Sequence, residues 1–244
     1  MTMPETYFSE IHRLLDQVLH TQSDAIQKAI VAVADTLQQG GTIYAFGTGH
    51  SHMLAEELFY RAGGLVKVHP ILDEPLMLHV GASRSSKIER LSGYAQTLFD
   101  HGISPQKQDV FFVFSNSGRN AVPVETALAM KERGVTVICI TNLAHSSGCT
   151  SRHPSGKRLF ELCDIVIDNC GRIGDSAIEI GENFCGPTST VIGAAILQSI
   201  ACGAVSLLLE RGVQPEVFSS SNVDGGDVIN QRYIDKYQQQ ISIL

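Results

Sequence analysis

One local grammar constrains this chain more than any other feature: a short β-type run, a glycine- or serine-rich turn, then a segment of helical period. The runs are Thr42–Phe46, Leu65–His69, Val110–Phe114, Val135–Ile140 and Ile165–Ile167; the helical segments are Ser51–Arg61, Leu91–His101, Asn120–Arg133 and Thr188–Arg211. Val110–Phe114 and Val135–Ile140 are almost continuously apolar, as expected of strands covered on both faces. The alternation predicts an α/β three-layer sandwich around a five-stranded parallel sheet.

Ahead of the first run, apolar residues recur at helical spacing, first Ile11, Leu14, Leu15, Val18 and Leu19, then Ile26, Ile30, Val33 and Leu37. Two helices fit, divided near Thr21–Asp24, where a hydroxyl followed three residues later by an acid reads as a capping box. Gly40-Gly41 ends the second helix. No linker rich in proline, serine or charge follows, so the expected organisation is one unit: helices over 1–39 packing on a domain over 40–212, with a tail over 213–244.

Composition narrows the function classes. An apolar content of 43% over 244 residues excludes intrinsic disorder. Lys and Arg number 18 against 25 Asp and Glu, a net charge of −7 that repels a nucleic-acid backbone. The six cysteines all lie in the second half with no CxxC pair, which reads as reduced thiols. Met1–Glu10 lacks a basic segment followed by an apolar run, so a cytoplasmic location is expected. Val191–Leu209 carries no charge and is long enough to raise the question of a membrane span. Its Gly193, Gln198, Ser199, Gly203 and Ser206 suit instead a helix buried on all sides within a globular or oligomeric core, and no membrane partner is expected.

In open α/β sheets ligands collect at the carboxyl ends of the strands, so the chemistry is sought in the turns there. The first is Gly47-Thr48-Gly49-His50-Ser51. Its glycines permit a tight turn and close backbone approach, and Ser51 stands where a helix start favours an anion. It lacks the third glycine of a dinucleotide fingerprint and the GKS or GKT ending of a P-loop, which disfavours NAD and ATP. The second is Ser115-Asn116-Ser117-Gly118-Arg119-Asn120. Hydroxyls, an amide and a helix N-terminus there can surround a phosphate with neutral donors, although Ser117 or Asn120 acting as an ordinary helix cap is the plainer alternative.

This pair of turns resembles the sugar isomerase (SIS) domain, with Gly-x-Gly-x-Ser after the first strand and Ser-x-Ser-Gly after an inner one. The resemblance runs from about Gly40 to Arg211 and includes the strand at Gly134 to Ile138. It extends to bacterial single-domain SIS proteins labelled phosphosugar (phosphoheptose-like) isomerases, through Gly49-His50-Ser51-His52, Ile71-Leu72-Asp73, Gly186-Pro187-Thr188-Ser189-Thr190 and Asn222-Val223-Asp224-Gly225-Gly226-Asp227. It implies a flavodoxin-like sandwich, a phosphorylated sugar as ligand, a homodimer or homotetramer, and no organic cofactor. Ser51, Ser115, Ser117 and Asn120, with the backbone at Gly49 and Gly118, would hold the phosphate. Asn120 departs from the pattern, which has Ser or Thr there.

Aldose–ketose isomerisation needs a base to move a proton between C1 and C2 and often an acid to open the ring. Phosphoheptose isomerases of this fold use a glutamate on the helix after the glycine loop and a histidine from the last helix. The resemblance therefore points to Glu57 or Glu56, one helical turn closer to the serine than in those enzymes; the last helix has no histidine. At 100° per residue Glu57 lies opposite the apolar face and Glu56 flanks it. An exposed Glu57–Arg61 pair worth about 0.3–0.5 kcal/mol is the competing reading. His79 or His50 would assist ring opening. His50 and His52, with Glu56 one turn on, have zinc-like spacing, against the plainer reading of hydrogen-bonding histidines at a helix start. Arg84 and Ser85, Thr188, and Asn222 and Asp224 in a linker or lid are further candidate substrate contacts, with Asp175 and Glu182 as alternative acids. The expected activity is a phosphosugar isomerase; a sugar-phosphate lyase or deglycase on the same site, and a non-catalytic phosphosugar sensor, are the alternatives.

Overall fold

A computed structural model describes residues 2–99 and 103–244. Strands β1 (Ile43–Gly47), β2 (Val68–Ile71), β3 (Val110–Phe114), β4 (Thr136–Thr141) and β5 (Ile165–Asp168) form one parallel sheet in the order β2-β1-β3-β4-β5. Alternating side chains sort into two cores, as a strand period of two demands. Ile43, Ala45, Phe112, Phe114, Ile138 and Ile140 face one helical layer, while Tyr44, Phe46, Phe111, Val113, Val137 and Cys139 face the other. Phe111, Phe112 and Phe114 are essentially fully buried, each contributing about 1.5–3 kcal/mol of burial.

The first layer holds α1 (Met3–Thr21), α2 (Ser23–Gln38), α3 (His52–Leu58) and α7 (Ser189–Glu210); the second is built on α5 (Ala121–Glu132). Three shorter or later helices complete the set: α4 (Leu78–Ile88), α6 (Leu143–Ser147) and α8 (Gly226–Tyr237). Strands β6 (Ile178–Ile180) and β7 (Asn183–Cys185) make a separate hairpin.

Several expectations are corrected. The first two helices do divide at Gln22, but Thr21 is no cap: its hydroxyl donates to the Gln17 carbonyl, and the capping box sits at the start of α1, between Thr2 and Glu5. Strand β2 begins three residues later than expected because Leu65 bridges to Val217 instead; it runs through Pro70, which an edge strand tolerates. The segment expected as a helix over Leu91–His101 is a 3₁₀ turn over Tyr94–Phe99, and its end lies outside the described residues. Within the tail, α8 forms and Tyr237 and Ile241 pack on Val66 and Phe218.

Within the single chain, helix α7 is buried on one face and exposed on the other. Ile192, Ile196, Leu197, Ile200, Ala204 and Leu208 are buried, whereas Val191, Ala195, Ser199, Cys202 and Leu209 form an exposed stripe. It packs on α3 at Gly193, where a Cβ would lie 2.7 Å from Leu54 Cδ1.

Candidate functional site

The strand order changes direction between β1 and β3, and their register pairs Gly47 with Phe114 at the carboxyl edge. The turns that follow therefore start side by side and diverge, which opens a crevice at the switch point. Gly47 is required by close approach: a Cβ there would lie 2.5 Å from the Ser51 carbonyl oxygen. Gly49 follows at φ +56 and opens a 3₁₀ turn into α3. In the serine loop, Ser115 Oγ accepts from the Gly118 N–H at 3.2 Å. Gly118 itself sits at φ +57, with Ser146 Oγ 2.8 Å from where a Cβ would stand. A left-handed residue without a side chain is needed on both counts.

Asparagines from three successive strand ends form the floor. Asn169 Nδ2 donates to Asn116 Oδ1 at 2.7 Å, Asn142 Nδ2 donates to Asn169 Oδ1 at 3.1 Å, and Asn142 Oδ1 caps α6. Ser189 and Thr190, at the N-terminus of α7, close the remaining side of a narrow crevice of about 10 Å³ that also touches Ser51, Ser115 and Asn116. Among the described residues, the Ser51, Ser117 and Thr190 hydroxyls make no hydrogen bond, which leaves donors free for a ligand. Asn120 heads α5 but does not cap it; its Oδ1 accepts from Arg152 Nη1 at 2.8 Å.

The two glutamates have different surroundings. Glu57 Oε1 accepts from Arg61 and from Gln198 Nε2 of α7, the latter at 3.1 Å, and Oε2 has no partner among the described residues. The expected Glu57–Arg61 pair is thus present, and the last helix adds an amide to it. Glu56 is half exposed and faces His52 Nε2 at 3.8 Å. His52 is buried; its Nδ1 bonds the Gly49 carbonyl, an acceptor only, so Nδ1 carries the proton. His79 lies beside it with ring centroids 6.5 Å apart, while His50 is exposed and unpartnered. Glu57 and the histidines therefore occupy opposite flanks of α3. No group of three His, Cys, Asp or Glu side chains poised to hold a metal forms among the described residues.

Other expected contacts lie elsewhere or are already committed. Ser85 is buried and donates to the Leu76 carbonyl at 2.7 Å, so it belongs to the core rather than to a ligand site. Thr188 is buried with its hydroxyl on Asp175, whose carboxylate also accepts from the Thr188 and Ser189 N–H groups. Asp175 is therefore the anchor of the α7 N-terminus, not a free acid. Glu182 is exposed in the β6–β7 turn, and Arg84 is exposed on α4. Asn222 and Asp224 lie exposed in the turns between the segment that pairs with Gly63–Val66 and α8. A larger hollow of about 240 Å³ occupies the N-terminal edge of the sheet, but its charges are already satisfied: Lys236 and the Tyr237 hydroxyl both meet Glu216.

Sequence reading missed Asn142, Asn169, Gln198, Ser189 and Thr190. Applying the strand-end rule to β4 and β5 as well would have found the two asparagines.

Fold and cleft define a class: a doubly wound α/β sandwich that presents a hydroxyl- and amide-lined crevice at its topological switch point. The chain belongs to the SIS domain family, whose pattern it matches over residues 6–142. It is 48% identical over 245 residues to a UPF0309 protein of Geobacillus thermodenitrificans, covering 99% of this chain and 98% of that one. A UPF0309 protein of Listeria monocytogenes is 46% identical over 246 residues, with 99% and 98% covered. Among solved structures, a phosphoheptose isomerase from Neisseria gonorrhoeae superimposes with a TM-score of 0.52 at 16% identity, over 84% of this chain and 98% of that one.

Proposed function

We infer that the protein binds a phosphorylated sugar in the switch-point cleft and isomerises it between aldose and ketose forms. The observation that carries the reading is a set of free hydroxyls: Ser51 and Thr190 line the crevice where α3 and α7 start, and Ser117 stands in the serine loop beside it. Such donors hold a phosphate without a lysine, each charge-assisted bond contributing about 1.5–3 kcal/mol.

Glu57 is the base. Arg61 and Gln198 orient its carboxylate through one oxygen and leave the other free to take a proton. It stands six residues along the helix from Ser51, about 9 Å at 1.5 Å per residue, the separation between the phosphate and the carbonyl end of an extended sugar phosphate. The base removes a proton from C2 or C1 as the carbonyl oxygen gains one, giving an enediol; the proton then returns to the neighbouring carbon while the enediol's other hydroxyl loses its own and becomes the new carbonyl. His52 and His79, flanking the glycine loop, are the groups available to open the ring. Assembly as a homodimer or homotetramer belongs to the same reading, supported by the uncharged stripe that α7 leaves exposed beside Glu57 and Gln198.

The test is incubation in D₂O with hexose, pentose, heptose and N-acetylhexosamine phosphates. Deuterium at C1 or C2 with at least one of them, abolished in Glu57→Gln and retained in Glu56→Gln, is the expected result. Binding without exchange would favour the phosphosugar sensor, and exchange with loss of a substituent the lyase or deglycase. Exchange undiminished in Glu57→Gln would remove that residue as the base.

A further inference from the structure

We propose that the ligand carries a second anionic group, a carboxylate or a further phosphate, which Arg90, Arg119 and Arg152 bind beside the serine loop. The inference rests on the phosphosugar reading above and deepens it. The backbone N–H of Arg152 donates to the Arg119 carbonyl at 2.7 Å, and its guanidinium donates to Asn120 Oδ1 at 2.8 Å, which pins it at the head of α5. The Arg119 guanidinium is fixed on Thr150, at 2.9 Å to the carbonyl and 3.1 Å to the hydroxyl. Arg90 is exposed and its head group has no partner among the described residues. It follows Glu89, whose carbonyl accepts from Val122 N–H in α5 at 3.1 Å and whose carboxylate accepts from Thr48 of the glycine loop at 2.8 Å. The three arginines therefore gather between the glycine loop and the serine loop.

What singles them out is that Arg119 and Arg90 stand near enough to act on Arg152, with no direct carboxylate partner for any of the three. Arg13, Arg61, Arg158 and Arg211 each have a carboxylate within ion-pair distance. Among the described residues Arg90, Arg119 and Arg152 have none, in a chain of net charge −7. Burial, followed by the positive fields of Arg119 and Arg90, holds the Arg152 guanidinium below its ordinary value, and Glu89 offsets this only in part. The positive end of α5 adds to the same field. An anion relieves the crowding, and the planar fork of arginine matches the paired oxygens of carboxylate or phosphate.

Titration calorimetry with hexitol 6-phosphate, 6-phosphogluconate and hexitol 1,6-bisphosphate tests this on the wild-type chain, Arg90→Gln and Arg152→Gln. At least one doubly anionic ligand should bind about tenfold more tightly than the monophosphate, and the preferred one identifies the second group. Both variants should remove most of that advantage, and Arg90→Gln should do so while changing hexitol 6-phosphate affinity less than about twofold. Arg152→Gln also releases Asn120, so Arg90→Gln, whose head group holds nothing, provides the readout free of folding effects. Equal affinity for all three ligands, or equal weakening of all three in Arg90→Gln, would overturn the proposal and leave the phosphosugar reading standing. Binding of none would overturn both.

Discussion

Replacing Ser117 with alanine separates ligand binding from folding, because its hydroxyl holds nothing in the unliganded protein. The residue is only half-buried, and its one recorded tie is through the backbone, where its carbonyl accepts from the Cys149 thiol at 3.6 Å. Loss of the hydroxyl should cost the fold less than about 0.5 kcal/mol, a Tm shift of no more than about 2 °C for a chain of this size. Against a phosphate oxygen the same hydroxyl makes a charge-assisted bond worth about 1.5–3 kcal/mol, so Kd should rise roughly ten- to a hundredfold. Calorimetric titration with a hexose 6-phosphate and with the free hexose, beside scanning calorimetry, reads both quantities. Ser115→Ala is the contrasting control. Its Oγ accepts from Gly118 N–H in a buried setting, so that variant should lose about 1–2 kcal/mol of stability as well. An equal loss for phosphorylated and free sugar in Ser117→Ala, or no loss for the phosphorylated one, would refute the argument.

Gly118→Ala places a side chain at φ +57 against Ser146 Oγ; at a strain of about 1–2 kcal/mol it should lower Tm by roughly 2–8 °C and weaken phosphate ligands further by displacing the serine loop. His69 is buried with Nδ1 unpartnered and stacks on Tyr44 at 5.4 Å; burial holds it below the ordinary 6.5, partly opposed by the Gln240 backbone. The unfolded chain therefore takes the proton first, so stability is full above pH 6.5 and falls as pH drops through that value towards the lowered folded one; His69→Phe should flatten the dependence of the urea midpoint below pH 6.5, and an unchanged slope would contradict this. Cys202→Arg puts a charge in the exposed stripe of α7 and should shift light-scattering mass from oligomer to monomer without lowering the helix content.

The sheet was legible because β3 and β4 are short, apolar and bounded by turn residues, and because every strand–turn–helix unit carries the same local signal. The glycine and serine loops were legible for the same reason: Gly47 and Gly118 mark positions where backbone geometry admits nothing larger. What was not legible depends on distant partners. Leu65 leaves the sheet because Val217 pairs with it, far along the chain. Asn142 and Asn169 look like ordinary turn residues until the parallel register sets their strand ends side by side. Gln198 meets Glu57 only because Gly193 lets α7 approach Leu54 of α3. Apolar composition in α7 was the same for the face that packs and the face left exposed, so it could not divide one from the other. Arg152 came to the serine loop through Asn120, a tertiary contact without a motif.

The central claim is that the cleft at the carboxyl edge, between Ser51, Ser117 and the start of α7, is where a sugar phosphate sits. A crystal structure with a bound hexose 6-phosphate tests it most directly. The account predicts phosphate oxygens within hydrogen-bond distance of Ser51 Oγ and Ser117 Oγ, with the carbonyl end of the sugar directed toward Glu57 Oε2. A sugar phosphate seated instead in the hollow beside Lys67, Lys236 and Tyr237, with the switch-point cleft left to solvent, would contradict it.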